Sequence, residues 1–312
     1  MIESGNLLID KSILSAVETF MRRPQGGVLL CGSKGQGKYL LARQMAVTML
    51  GIEDEADLIN HPDFVEITSH DAVIKMNELE PVRKAAASVA VNAKQKVFLI
   101  DDAELMTPNA QNSLLKLLED MNNECVVLMV CHADVLQTIR SRCHVIEFYP
   151  QTDDTLQEYL RKRDILVNEL ALAIAGGCLG KYFNFCERRN YLLDVRNFFS
   201  VLPRNNTKEL LISLSLVKEK DTNNFFEKYA LEDVRVFMSL LHDVLTEILL
   251  HLTTDSCKRK KYSSFIDFET AVRTFSADKI IGYQNILKQH LLRSEKKGAY
   301  TRNDFFDLIR HL

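Results

Sequence analysis

The residues with the plainest chemical potential are Gly32-Ser33-Lys34-Gly35-Gln36-Gly37-Lys38-Tyr39, a Gly-x-x-x-x-Gly-Lys run. Glycines let successive backbone N–H groups turn inward around phosphate oxygens, and a helix opening behind them presents the positive end of its dipole. Lys38 would reach the terminal phosphates as a point charge. The chemistry is capture of a nucleotide's phosphate tail by Gly32, Gly35, Gly37, Lys38 and their neighbours. A complete motif of this kind has Ser or Thr after the lysine to ligate Mg²⁺. Tyr39 stands there, and its phenol is too long and too rigid to put an oxygen at the same spot. The competing reading is a glycine-rich turn with no ligand. Against it, the run follows a buried-strand pattern and opens a helical one over 38–50, as phosphate binding requires.

Two further runs carry charge where ligands gather. Val97-Phe98-Leu99-Ile100-Asp101-Asp102-Ala103-Glu104 is an apolar strand ending in acids. A carboxylate at a strand's C-terminal end sits beside the phosphate loop of an open α/β sheet. Asp101 there could hold Mg²⁺ through water. Asp102 falls where a Glu would polarise the attacking water, and it is one methylene shorter. The alternative is that both acids only end the strand. The other run is Gln137-Thr138-Ile139-Arg140-Ser141-Arg142-Cys143. Its two guanidiniums form either a solvated edge or a fork presented to a phosphate.

The elements that must position these residues read differently in the two halves of the chain. Before residue 150, apolar runs alternate with helical patterns. Val28–Cys31, Val97–Ile100 and Val126–Val130 are continuous enough for strands buried on both faces of a parallel sheet, with Phe64–Ile67 and Val145–Phe148 as further strands. The clearest helix is 107–121, capped by Thr107 with Pro108 in its first turn. This alternation predicts an α/β layer fold. After Tyr149-Pro150 only helical periodicity remains, over 153–163, 167–176, 180–201, 207–218, 222–229, 231–252, 264–276, 278–293 and 301–311. Pro203-Arg204-Asn205-Asn206 reads as a linker.

Composition sets outer bounds. With 39 basic and 42 acidic side chains the net charge is −3, so nucleic-acid contact would need a local patch. The seven cysteines fall in no Cys-x-x-Cys spacing, which points to free thiols in a reducing cytosol and to no zinc. Neither a signal peptide nor an uninterrupted apolar span of membrane length is read, and the expected location is cytoplasmic. Lys258-Arg259-Lys260-Lys261 reads as a solvated loop, with template DNA as the alternative. His132 reads as part of a surface loop, the alternative being that Cys131 or His132 is a polar contact at the end of strand 126–130.

Taken in order, Gly32–Lys38, His61-Pro62-Asp63-Phe64, Leu99-Ile100-Asp101-Asp102-Ala103, Ala110–Glu119 and Thr138-Ile139-Arg140-Ser141-Arg142-Cys143 resemble the clamp-loader subunits of bacterial DNA polymerase III, members of the AAA+ family. The resemblance spans about residues 25–150. Its most specific parts are the Asn112-x-Leu114-Leu115-Lys116-x-x-Glu119 helix and the Ser141-Arg142-Cys143 triplet. The His-Pro-Asp-Phe tetrad and the lack of a long tail favour the delta-prime type over gamma/tau. The resemblance implies an AAA+ base domain at 1–149, a helical lid at 150–200 and a helical collar at 201–312 that assembles a heteropentamer. It implies gamma/tau and delta subunits as partners, with the sliding clamp and primer–template DNA met through the assembled loader. It makes Arg142 an arginine finger supplied in trans to ATP on a neighbouring subunit, a contribution of several orders of magnitude in phosphoryl transfer. Lys38 and Asp101 match its ATP and Mg²⁺ positions.

The departures are as informative. Tyr39 replaces the magnesium hydroxyl, Asp102 the catalytic glutamate, and Gly180 the lid arginine; a four-cysteine zinc insert is absent. The expectation is a subunit with little or no intrinsic ATPase, holding ATP or ADP weakly at most, with Mg²⁺ only alongside nucleotide. The competing readings are an ATP-hydrolysing motor of the gamma/tau type and a nucleotide-binding AAA+ module outside replication.

Overall fold

The computed structural model describes residues 7–69, 73–121, 124–213, 229–254 and 262–297. The chain divides into two compact units, one of residues 1–159 with 177–180, the other of 160–176 with 181–312.

The first unit opens with α1 (Lys11–Met21), β1 (Gly26–Cys31) and α2 (Lys38–Leu50), followed by β2 (Phe64–Ile67) and α3 (Glu80–Ala86). It continues through β3 (Lys96–Ile100), α4 (Pro108–Asp120), β4 (Cys125–Cys131), α5 (Gln137–Arg140) and β5 (Cys143–Glu147). The strands form one sheet in the order β2-β3-β4-β1-β5, parallel at every pairing. All five strands expected from apolar runs are present. Their continuity has a direct cause. Successive side chains point to opposite faces, and both faces are covered. Val28, Leu30, Val97, Leu99, Val126 and Leu128 pack against Val17 of α1 and Leu41 and Met45 of α2. The alternate residues Leu29, Phe98, Ile100, Val127 and Met129 pack on the other face against Val82 of α3 and Ala110 and Leu114 of α4.

Local chemistry sets the element ends. The Thr107 hydroxyl accepts the Ala110 N–H at 3.2 Å at the start of α4, as its sequence predicts. Asp63, only 1% exposed, accepts backbone N–H groups of Val91, Asn92 and Ala93 at 2.7–2.8 Å. The His-Pro-Asp-Phe tetrad is thus an anchor: Asp63 ties down the loop that feeds β3, and the next residue, Phe64, begins β2.

The second unit is helical among its described residues. Its elements are α7 (Glu169–Ala175), α8 (Leu179–Glu187), α9 (Arg189–Val201), α10 (Thr207–Ser213), α11 (Leu231–Thr253), α12 (Phe268–Thr274) and α13 (Ala277–Lys297), with α6 (Asp153–Arg161) and the start of α8 at the division. α11 is long and apolar enough to cross a membrane. Its stripe, however, including Phe237, Leu241, Val244 and Ile248, is buried, and α11 packs on α13. That is the environment of a core helix. The single helix expected over 180–201 is two, broken at Arg188, whose guanidinium turns to pair with both carboxylate oxygens of Asp233. The segment 203–206, read as a linker, is a tight turn with Leu202 and Pro203 buried. The expected helices 222–229 and 301–311, the end of 207–218 and the basic run 258–261 lie outside the described residues.

Candidate functional site

The site lies at the C-terminal ends of β1, β3 and β4, where the strand order reverses around β1 and an open parallel sheet leaves a crevice. The glycine-rich loop fills the gap between β1 and α2. Gly37 sits at φ 80°, the left-handed region, and caps α2 without a side chain. A Cβ there would also fall 2.6 Å from Leu7. Lys38 is 2% exposed. Its ammonium donates to the carbonyls of Gly32 and Ser33, both at 2.6 Å. An ammonium has three donors, so one N–H is left to aim at a ligand. Burial lowers the Lys38 pKa to about 8, opposed by the nearby acidic groups Glu104 and Asp101. Both polar atoms of the Gln36 side chain are buried in this loop without a hydrogen-bond partner. An unpartnered amide beside a buried ammonium suits a loop built to receive polar atoms.

Tyr39 turns away from that loop. Its hydroxyl donates to Glu66 of β2 at 2.7 Å, and Arg43 donates to both the Tyr39 hydroxyl (3.3 Å) and Glu66 (2.9 Å). Arg43 also pairs with Glu55 at 2.6 Å. The residue after the lysine thus joins α2 to the sheet edge in place of a metal-ligating hydroxyl.

The acids ending β3 are held in different ways. Asp101 accepts the Asp102 backbone N–H at 3.0 Å. Burial, reinforced by the charge of Asp102, raises its pKa to about 6. Asp102 adopts φ 50°, a strained angle for a residue with a side chain. Its carboxylate accepts the Ser69 hydroxyl at 2.7 Å and lies 3.3 Å from His132 Nε2. The surface-loop reading of His132 is therefore corrected. The residue follows β4 directly, its side chain is 19% exposed, and its backbone N–H donates to Glu104 at 3.1 Å. Burial, then the Lys38 charge, lowers its pKa and favours neutral imidazole. Asp101, Asp102 and His132 place three ligand atoms within 4.8 Å of one another, close enough to share a cation. His132, Ser69 and Glu104 carry no motif of their own; only strand pairing brings them together.

Gly180 belongs to the same unit as the loop. Its N–H donates to the Gly35 carbonyl at 2.8 Å, and a Cβ on it would fall 2.9 Å from that oxygen. The position read as lacking an arginine is one where this backbone admits no side chain.

The two arginines beside β5 differ. Arg140 is drawn inward, with Nη2 2.5 Å from Glu147 and Nη1 donating to Cys31 Sγ at 3.4 Å. Arg142 faces outward. It is 41% exposed and pairs with the half-exposed Glu119 of α4 at 2.7 Å, and Nη1 donates to the Thr138 carbonyl at 3.2 Å. The Asn112–Glu119 helix and the Ser141-Arg142-Cys143 triplet, separate in sequence, meet in this ion pair.

Comparison with known proteins bears on the same stretch. Residues 17–152 match the family described as DNA polymerase III, delta subunit. That stretch is similar to DNA polymerase III clamp-loader subunits, the delta-prime subunits of several bacteria among them. The Bacillus subtilis DNA polymerase III subunit delta' is 27% identical over 148 residues, 43% of this chain and 45% of the relative. The delta' subunit of Pseudomonas aeruginosa is 33% identical over 133 residues, 37% of this chain and 40% of the relative. The chain thus spans about half or less of the length of these relatives. Among solved structures, a DNA polymerase III gamma subunit-related protein from Thermotoga maritima superposes with a TM-score of 0.51 at 14% identity, covering 95% of this chain and 98% of its own. At that identity the likeness concerns fold alone, and the fold is the expected parallel α/β sheet followed by helices.

Proposed function

We propose that this chain acts as a delta-prime-like subunit of a DNA polymerase III clamp loader, hydrolysing little or no ATP itself and lending Arg142 to ATP held by a neighbouring gamma/tau-type subunit. The observation that carries the reading is the contrast between the two arginines. Arg140 is spent on Glu147 and Cys31, whereas Arg142 is solvent-facing and held by one exposed carboxylate that a phosphate could outcompete. An exposed ion pair is worth at most about 1 kcal/mol, so exchanging it for a phosphate contact costs little.

Weak intrinsic turnover follows from the site's own residues. A phosphate tail would meet the loop N–H groups and the free donor of Lys38. Magnesium would find Asp101, while the Tyr39 hydroxyl is committed to Glu66. Asp102, tied to Ser69 and His132, is poorly placed to position a water. In this reading a base domain over 1–149, a lid over 150–200 and a collar over 201–312 serve a cytoplasmic heteropentamer with gamma/tau and delta subunits. Contact with sliding clamp and primer–template DNA comes through the assembly.

Reconstitution with gamma/tau and delta subunits, clamp and primed DNA tests the finger. Arg142→Ala should abolish most of the stimulated hydrolysis while the loader still assembles; unchanged hydrolysis overturns the assignment. Titration of the isolated chain with fluorescent ATP and ADP, with and without Mg²⁺, should show weak binding that the metal barely strengthens. Steady ATP turnover by the isolated chain, abolished by Lys38→Ala, would favour the motor reading instead.

A further inference from the structure

Cys31 and Cys131 play no part in phosphate capture, yet they form a second reactive constellation directly beneath it. They occupy facing positions at the ends of the adjacent parallel strands β1 and β4, and their sulfur atoms lie 3.1 Å apart. Neighbouring strands run about 4.8 Å apart, within the roughly 4.4–6.8 Å Cα separation a disulfide accepts. Cys131 is the donor of the pair, to Cys31 Sγ and to the Leu30 carbonyl at 3.7 Å. Cys31 is the acceptor, and it also receives the Arg140 guanidinium at 3.4 Å. Both contacts favour a thiolate at Cys31, and its pKa lies below the ordinary thiol value, the Cys131 hydrogen bond being the largest cause and burial opposing it. The sulfurs are 5% and 1% exposed by residue, so a bulky reagent has no direct route. Arg140, with a side chain 28% exposed, spans from solvent to Cys31 and marks the approach for a small polar oxidant.

The third cysteine near β1 sharpens the pairing. Cys143 of β5 sits opposite Gly27, four residues before Cys31, which is about 13 Å along a strand. It cannot bond Cys31 without unravelling the sheet. Burial and the neighbouring Cys31 push its thiol up to about 12, and it is the inert member.

We propose that Cys31 and Cys131 are a redox-active dithiol, oxidised reversibly by a hydroperoxide to an intrachain disulfide at the base of the phosphate loop. The Cys31 thiolate attacks a peroxide oxygen, the O–O bond breaks, and the departing hydroxide takes a proton to leave as water. The Cys131 sulfur then attacks the Cys31 sulfenic sulfur, expelling its hydroxyl, which leaves as a second water with the Cys131 proton. Two thiols and one hydrogen peroxide give one disulfide and two waters. Closing the bond draws the sulfurs from 3.1 Å to about 2.05 Å. Gly32 follows Cys31 directly and His132 follows Cys131, so oxidation braces the loop and the Asp102–His132 pair together.

The test treats the native chain with hydrogen peroxide, blocks free thiols, and maps linked peptides by mass spectrometry without reduction. The expected result is a Cys31–Cys131 link that dithiothreitol reverses, with slowed hydrogen exchange over residues 32–37. Cys131→Ser should lose the link and leave a Cys31 sulfenic acid, formed in the native chain and trapped by dimedone once the peroxide is removed and the chain is unfolded, while Cys143→Ser should change nothing. A link through Cys143, a link only between chains, or reaction only after urea unfolding would each overturn the proposal. No partner subunit or nucleotide enters the assay, so its outcome is independent of the clamp-loader reading.

Discussion

Lys38 carries its charge into a place where burial opposes it, and that opposition is measurable. Its pKa is lowered to about 8 in the folded chain, from 10.5 in its ordinary state. Between these values the unfolded chain binds the extra proton, so stability rises with pH across that window. Below about pH 8 the penalty is fully present. A Lys38→Met variant, which has no such proton, should therefore lose ground to wild type by of order 2 kcal/mol between pH 7.5 and 10.5, allowing for partial solvation. Urea unfolding at the two ends checks it, and a constant difference would show that Lys38 is not desolvated. Asp101 gives the opposite sign. Its pKa is raised to about 6, so it contributes instability that grows as pH climbs from about 4 to 6. Asp101→Asn should stabilise the chain at pH 7 by of order 1 kcal/mol after discounting for solvent, and should lose that advantage near pH 4. A carboxylate kept at such a cost fits a ligand-facing role better than a strand-ending one.

At the scale of elements, the loop before β3 depends on one side chain. Asp63 accepts three backbone N–H groups from Val91, Asn92 and Ala93, and truncation would leave those donors without their buried acceptor. Asp63→Ala should cost about 3–5 kcal/mol, given about 1.5–3 for a hydrogen bond to a charged group and the non-additivity of neighbours. Asp63→Asn, which keeps one acceptor oxygen, should cost about half as much; thermal unfolding distinguishes the two. The strands were legible because the part of a strand covered on both faces must be apolar, and Val28–Cys31, Val97–Ile100 and Val126–Val130 are. Helix α4 was legible because Thr107 and Pro108 announce its start and its apolar spacing does the rest. The break at Arg188 was not, because the ion pair with Asp233 that turns the chain there is made by a residue 45 positions away. The same reason hid His132. Its meaning comes from Asp102, which the parallel pairing of β3 and β4 brings beside it, and no local pattern reports a cross-strand neighbour. The glycine-rich loop between β1 and α2, a local motif, was legible in its position, but the destination of the Tyr39 hydroxyl was not.

The first unit presents a loop suited to phosphate, Tyr39 and Asp102 committed to internal contacts, and the Arg142 guanidinium turned outward. That combination makes sense if hydrolysis is completed across a subunit boundary, and it predicts a separation of effects. Because the Arg142–Glu119 pair is exposed on both sides, Arg142→Ala should shift the stability of the isolated chain by less than about 1 kcal/mol. If Arg142 is the proposed finger, the same change in the assembled loader should lower the rate of hydrolysis by about 10³-fold or more, the range of arginine fingers. Arg142→Lys should recover little, since an ammonium keeps the charge and loses the planar fork. Glu119→Gln should leave hydrolysis intact or raise it slightly, because it removes the resting partner and leaves the guanidinium free to swing to phosphate. Single-turnover hydrolysis by the reconstituted loader measures all three against the melting temperatures of the isolated variants. If Arg142→Ala and Glu119→Gln depress hydrolysis equally, the ion pair itself is what the neighbour needs, and Arg142 works by holding α4 in place rather than by touching phosphate.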